Sequence, residues 1–277
     1  MLAFIQWDPN PIAFSLFNFD VRWYSLCWCA ALLSGYLVMK WLYRDQKLPA
    51  DKFEPLFLYI FIGVILGARL GHCIFYEPGY FLTSGKGIIE MLLPIRITDS
   101  GWHLTGYEGL ASHGGTLGMI LAVLAYSKVH KVRLLQVLDN MGVVAPISAC
   151  CVRLGNLFNS EIVGTPTDQP WGFVFLHNGE DFARHPSQLY EAIFYLVLFI
   201  ATVLIYRALK HKAGTGFFFG LCLTCIFTFR ILVEFIKQEQ EAFEQGMLLN
   251  MGQILSLPLV AIGIYFIIKG LKAQPKD

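Results

Sequence analysis

The sequence predicts an all-α integral membrane protein of seven transmembrane helices, N-terminus outside and C-terminus cytoplasmic, with two extracytoplasmic cap segments. Composition, the length of its apolar stretches and the placing of lysine and arginine carry that prediction. Hydrophobic residues make up 56% of the 277 residues and charged residues only 15%. A soluble domain would carry about a quarter charged residues. The formal net charge of +1, without a basic run, gives no hint of a nucleic-acid partner, and none is expected. One transmembrane domain over 1–277 follows, with the surrounding membrane lipid as its solvent.

A helix that crosses a bilayer needs about 20 apolar residues. Such stretches occur at 22–43, 53–76, 112–127, 135–157, 187–209, 216–237 and 250–270, the third being the shortest. No basic stretch or small-residue cleavage motif marks the N-terminus as a removable signal, so the first span is expected to remain as an anchor. Cations then set the direction. Arg44, Lys47 and Lys52 follow the first span, Lys128, Lys131 and Arg133 the third, and Arg207, Lys210 and Lys212 the fifth. Lys269, Lys272 and Lys276 close the chain. The alternate connections hold only Lys86 and Arg96, then Arg184, then Lys237. The positive-inside rule therefore places the N-terminus outside. The long connections 77–111 and 158–186 both fall outside and read as small ordered caps, with 85–97 as an interfacial amphipathic element. No internal repeat of the transporter kind is evident.

Seven cysteines, including Cys222 and Cys225, lie in apolar spans and read as small core residues rather than as disulfides or metal ligands.

Orientation turns scattered polar residues into a map. Tyr24, His113, Ser187, Gln188, Tyr190, Glu191 and Gln253 begin inward-running spans. Arg69, His72, Tyr76, Arg153, Asn156, Arg230 and Glu234 end outward-running ones. All fall toward the outer leaflet; Asp139 and Asn140, at the cytoplasmic end of span four, do not. An arginine at membrane depth costs roughly 2.5–3.5 kcal/mol, so it needs a partner or a task. Its planar fork suits phosphate, which in a bilayer is a phospholipid headgroup. The run Arg153-Leu-Gly-Asn156-Leu-Phe-Asn159-Ser-Glu161-Ile-Val-Gly164 offers a cation, two amides and a carboxylate, with Gly164 permitting a turn. Arg230 and Glu234 can pair at i, i+4. Arg69 reads either as a helix anchor or as a ligand to substrate. His113 precedes Gly114 and Gly115 at a helix start, where backbone can approach a ligand closely; an interior, satisfied histidine is the plainer reading.

These pieces resemble the prolipoprotein diacylglyceryl transferase family. The similarity spans most of the chain: Trp23-Tyr24, Gly67-Ala-Arg69-Leu-Gly71, His113-Gly-Gly115, the Arg153 run, Arg184-His-Pro-Ser-Gln-Leu-Tyr-Glu191, Phe229-Arg230 with Val233-Glu234-Phe235, and Gly252-Gln-Ile-Leu-Ser256. Two departures, Ser112 before the His-Gly-Gly and Glu239-Gln240 after Glu234, bear on substrate preference. The resemblance implies an enzyme of the bacterial cytoplasmic (inner) membrane whose active site faces the extracytoplasmic leaflet. The diacylglyceryl group of phosphatidylglycerol would pass to the lipobox cysteine thiol in the signal-peptide region of a prolipoprotein, releasing glycerol 1-phosphate, without metal or cofactor. Catalytic roles fall to Arg153 and Arg230 on phosphate and to His113 or Tyr24 as base. Substrate contacts fall to Arg153, Asn156, Asn159, Glu161, Gly164, Gly114, Gly115, Tyr190, Arg230, Glu234 and Arg69. The competing readings are another outer-leaflet lipid-modifying transferase and an anion transporter.

Overall fold

A computed structural model describes residues 4–17, 19–98, 100–104, 109–238 and 249–273. Lys276, Glu239 and Gln240, used above, lie outside the described residues. The chain enters through strands β1 (Ile5–Trp7), β2 (Ile12–Leu16) and β3 (Phe19–Arg22) and runs into helix α1 (Trp23–Asp45). Then come α2 (Phe53–Phe75), the short α3 (Pro78–Phe81) and α4 (Gly85–Leu92), strands β4 (Ile95–Thr98) and β5 (Gly101–Leu104), and α5 (Ser112–Val129). Helix α6 (Leu134–Phe158), strand β6 (Phe173–Phe175) and helices α7 (Ser187–Ala208), α8 (Phe217–Glu234) and α9 (Met251–Lys272) complete the described chain.

Among the described residues six helical stretches are long and apolar enough to cross a membrane: Trp23–Asp45, Ala50–Phe75, Leu134–Phe158, Ser187–Ala208, Phe217–Glu234 and Met251–Lys272. The third expected span is α5, a helix of 18 residues that opens on Ser112, His113, two glycines and Thr116. At 1.5 Å per residue it measures about 27 Å, just under the hydrocarbon thickness, and its polar first turn lowers its hydropathy. Six of the seven expected spans thus meet this measure among the described residues, and the third is a helix with a more polar first turn.

The chain divides into two compact units, residues 43–137 and residues 1–42 with 138–277. In the first unit α2 packs on α5 through glycines. A methyl at Gly67 would meet Gly118 Cα at 2.8 Å, and one at Gly71 would meet Gly114 Cα at 2.8 Å. Such small-residue faces let helix backbones touch where water supplies no driving force. The Ala111 amide donates to the Ala68 carbonyl at 2.9 Å and fixes where α5 begins.

The segment expected to be amphipathic, 85–97, divides into α4 and β4. Ser84 caps α4 by accepting from the Gly87 amide at 3.0 Å. Ile88, Ile89 and Leu92 face outward, while Glu90 is 1% exposed. Its carboxylate accepts from the Tyr80 hydroxyl at 2.6 Å and the Ile97 amide at 2.8 Å, and pairs with Arg96 at 3.4 Å. Burial pushes this carboxyl up, but the Tyr80 hydroxyl, the Ile97 amide and the Arg96 guanidinium outweigh it and hold the group below its ordinary range.

In the second unit Leu42, Val143, Tyr206, Phe217 and Phe218 form a buried core, and Ser148 on α6 donates to the Ala31 carbonyl of α1 at 3.0 Å. Asp139, fully buried, accepts from the amides of Gly214, Gly216 and Phe219 at 2.8–2.9 Å, so it caps the entry to α8. Asn250 and Gln253 form a capping box that starts α9. All seven cysteines are free thiols, with Cys222 buried inside α8. The strands were not foreseen. β1 pairs in parallel with β6, bringing Trp7 Nε1 to the Leu157 carbonyl at 3.0 Å beside the end of α6.

Candidate active site

The site in the second unit begins where α6 ends. Beyond Phe158 the chain turns on two left-handed residues, Ser160 at φ 52° and Ile162 at φ 58°. That conformation costs an L-residue roughly 1–3 kcal/mol, and a β-branched side chain makes it worse. The fold holds it by catching three successive carbonyls. Asn178 donates to the Ser160 carbonyl at 3.0 Å, Gln188 to that of Glu161, and Ser187 to that of Ile162 at 2.7 Å. Ser187 and Gln188 are fully buried at the start of α7. The expected turn therefore falls on Ser160 and Ile162 rather than on Gly164. Gly164 serves close approach instead, since a methyl there would meet the carbonyls of His185 and Ile236 at 2.6 and 2.7 Å.

The extended piece after the turn pairs with the chain leaving α8. The Thr165 amide donates to the Ile236 carbonyl at 2.8 Å, and Gly164 and Lys237 form an antiparallel bridge. Arg184 donates to the Gly164 carbonyl at 3.1 Å and pairs with Glu180 at 2.6 Å. This pairing turns Lys237 inward, where it is 7% exposed.

A network of charges results. Arg153 Nη1 donates to Asn156 Oδ1 at 3.2 Å, and Asn156 Nδ2 donates to Glu161 Oε1 at 2.6 Å. Arg153 Nε lies 3.2 Å from Glu191 Oε2, and Lys237 Nζ lies 3.1 Å from the same oxygen. Lys237 also faces Glu234 at 3.6 Å. Tyr195 donates to Glu191 Oε1 at 3.3 Å. Both contacts to Glu191 Oε2 are ion pairs outside hydrogen-bond alignment. Burial depresses the Lys237 ammonium below its ordinary value; Glu191 opposes the shift, Arg153 adds to it, and Glu234 opposes it.

The expected Arg230–Glu234 pair is replaced by Glu234 with Lys237. Among the described residues no ion pair or hydrogen bond reaches Arg230, which stands half-buried one turn earlier on α8. Gly252 makes room for the Glu234 carboxylate, which a methyl would crowd at 3.0 Å. The ring of Tyr24 covers Gly155, where a methyl would meet it at 3.2 Å. Arg153, Asn156, Glu161, Tyr24, Arg230 and Glu234 therefore belong to one unit. Asn159 closes the helix end through its amide, which donates to the Gly155 carbonyl at 3.1 Å. Tyr190 is engaged by the cap, accepting from Trp171 Nε1 at 2.9 Å and sitting 3.1 Å from His185 Nδ1. Burial holds the His185 imidazole below its ordinary value.

His113, Gly114, Gly115 and Arg69 belong to the other unit. His113 is exposed in the first turn of α5, without a described hydrogen bond. Gly114 is consumed by packing on Gly67 and Gly71, and Gly115 sits against Ala68, so their ligand-approach reading gives way to helix packing. Arg69 Nη2 donates to the Glu90 carbonyl at 2.7 Å and its guanidinium lies over the Phe81 ring at 4.8 Å, which anchors α4 to α2. Among the described residues no three His, Cys, Asp or Glu side chains gather as a metal site.

Lys237, Glu191 and Tyr195 are members that sequence reasoning left without a role. In the sequence Lys237 reads as a loop charge, although it stands i, i+3 from Glu234.

Comparison with known proteins gives a consistent result. The family model for prolipoprotein diacylglyceryl transferase matches residues 11–269. A phosphatidylglycerol–prolipoprotein diacylglyceryl transferase of Bacteroides fragilis is 51% identical over 267 residues, covering 96% of this chain and 95% of its own. The protein of the same name from Porphyromonas gingivalis is 40% identical, covering 98% and 96%. That from Tolumonas auensis is 37% identical, covering 98% and 99%.

Proposed function

The chain belongs to the prolipoprotein diacylglyceryl transferase family, and from that premise we propose how it transfers the diacylglyceryl group of phosphatidylglycerol to a prolipoprotein. The acceptor is the lipobox cysteine thiol in the signal-peptide region. Sulfur attacks the carbon of the diacylglycerol moiety that bears the phosphate, not that of the headgroup glycerol. The carbon–sulfur bond forms as the carbon–oxygen bond breaks, the thiol proton goes to a base, and glycerol 1-phosphate departs with the bonding electrons.

Two demands follow: a thiolate, and stabilisation of charge on the departing phosphate. A free thiol titrates near about 8.5, so a base is useful at neutral pH. Arg153, held by Asn156 and Glu191, and Arg230 answer the second demand as cations in a site of low dielectric. The observation that carries this reading is the Arg153 guanidinium, oriented at once by Asn156 and by Glu191. Asn156 and Glu161 then meet the glycerol hydroxyls, with Asn159, Gly164 and Tyr190 shaping the surrounding cap, and Lys237 holds Glu191 and Glu234 in place. His113 and Tyr24 compete as base; Tyr24 stands beside Gly155, two residues from Arg153.

In this reading α5 counts as the third of seven spans, the N-terminus lies outside, and 77–111 and 158–186 form extracytoplasmic caps of a protein in the bacterial cytoplasmic (inner) membrane. Purified protein incubated with phosphatidylglycerol labelled in its headgroup and a lipobox peptide should yield labelled glycerol phosphate and a lipidated peptide in equal amounts. Headgroup release without peptide modification would refute the acceptor assignment.

A further inference from the structure

The unit spanning 43–137 contains a cavity of about 190 Å³ at the end of α2 remote from Arg69. Lys52, Lys131 and Arg133 line it together with Gln136, Tyr43, Leu48, Pro49 and Val132, and among the described residues no carboxylate does. Two long helices start there: Lys52 immediately precedes α2 and Arg133 immediately precedes α6. Each helix start adds the positive end of its dipole to the three cations.

The cavity walls are fixed. Lys131 takes a left-handed φ of 52°, and Ser127 donates to the Val132 carbonyl at 2.7 Å. Behind Lys52, the Tyr126 hydroxyl donates to the Lys52 carbonyl at 2.7 Å and lies 3.1 Å from the Tyr43 hydroxyl. Gln136, one of the lining residues, donates to Gln46 at 2.7 Å. Asp45 and Asp51 are not among the lining residues, and Asp45 and Arg133 each hold a further contact.

The geometry points to a binding site for the phosphate of an anionic phospholipid, seated in the cytoplasmic leaflet under the orientation proposed above. Basic pockets at the cytoplasmic ends of membrane helices suit such headgroups, because an extended cationic cavity beside apolar helix faces meets both phosphate and acyl chain. The residues assigned above to the donor lipid, Arg153 and Arg230, belong to the other unit and line no part of this cavity.

Amine labelling of Lys131 reads the site directly. The full-length protein is placed in phosphatidylcholine nanodiscs with or without phosphatidylglycerol, and labelling of Lys131 is compared with that of Lys128. Phosphatidylglycerol should slow Lys131 about fivefold relative to Lys128. Arg133→Gln should weaken that protection about fivefold, and Lys52→Gln serves equally if the first variant does not fold. Equal slowing of both lysines would mean a general surface potential and overturn the proposal. Protection by inorganic phosphate in phosphatidylcholine discs, without protection by phosphatidylglycerol, would overturn it in favour of a soluble anion.

Discussion

Lys237 and Glu191 meet at 3.1 Å although one follows α8 and the other lies in the first turns of α7. Glu191 Oε2 is also the oxygen that faces Arg153. One buried carboxylate therefore ties a cation assigned to phosphate to an ammonium outside the spanning segments.

Removing Lys237 leaves the partly buried Glu234 without its ion-pair partner and the buried Glu191 with Arg153 alone. Loss of one partner of a buried pair typically costs about 3–5 kcal/mol. Lys237→Met should lower the thermal transition of the detergent-solubilised protein and cut transfer at least tenfold, while Lys237→Arg restores most of the stability. The charged ammonium holds Glu191, and its depressed pKa means that this hold fails below the ordinary lysine range as pH rises. The alkaline limb of the wild-type pH–rate profile should move upward in Lys237→Arg. An unmoved limb would remove Lys237 from the positioning of Arg153.

Arg153→Ala should abolish transfer without impairing folding or insertion. Arg153→Lys should fail nearly as badly, because an ammonium cannot meet Asn156, Glu191 and a phosphate through one planar fork. Turnover within threefold of wild type in Arg153→Lys would show that charge alone suffices there.

The bases can be separated by pH. Loss of a general base costs about 10²- to 10⁴-fold. His113→Gln should impose that loss at neutral pH and recover when the acceptor thiol is ionised at high pH, while Tyr24→Phe shows a pH-independent loss. The reverse pattern would make Tyr24 the base and His113 a binding group.

Much of this site was legible because charge in an apolar span is expensive enough to announce itself. Arg153, Asn156 and Glu161 stand in one short run, and the helix period puts the first two on one face. Lys237 was not legible in the same way. A lysine three residues past the end of α8 looks like any loop cation, and only the pairing of Gly164 with Lys237 turns it inward. His113-Gly-Gly shows the opposite failure. A glycine beside a polar residue fits both ligand approach and helix packing, and Gly114 is spent on Gly67 and Gly71. The helices emerged within a few residues of expectation, whereas β1–β3 did not, since strands this short leave little alternation to read.

The left-handed turn offers a test of stored strain. Ser187→Ala would strip the Ile162 carbonyl of its described side-chain donor, at a cost of about 1–3 kcal/mol. Ile162→Gly should act oppositely, removing the steric penalty at φ 58° and stabilising the fold by about 1 kcal/mol. Activity should fall in both variants, because Glu161 is positioned by the residues on either side of it. A fully active Ser187→Ala enzyme with a lowered thermal transition would confine the turn to a structural role.

Glu90 provides the acid-side prediction. Its folded-state pKa is held below the ordinary value of 4.5 by Tyr80, the Ile97 amide and Arg96 acting against burial. A carboxylate depressed in this way contributes stability that is fully present above pH 4.5 and disappears as pH falls through the folded-state value. The packing of α4 on α2 depends on the same residue, since Arg69 donates to the Glu90 carbonyl. Hydrogen–deuterium exchange of residues 85–98 should therefore accelerate as pH falls below about 4.5, once the intrinsic pH dependence of exchange is corrected. Glu90→Gln keeps the shape but loses the charge, so its exchange should already be fast at pH 7 and show no further acid step. An acid step retained in Glu90→Gln would assign the transition to another carboxylate.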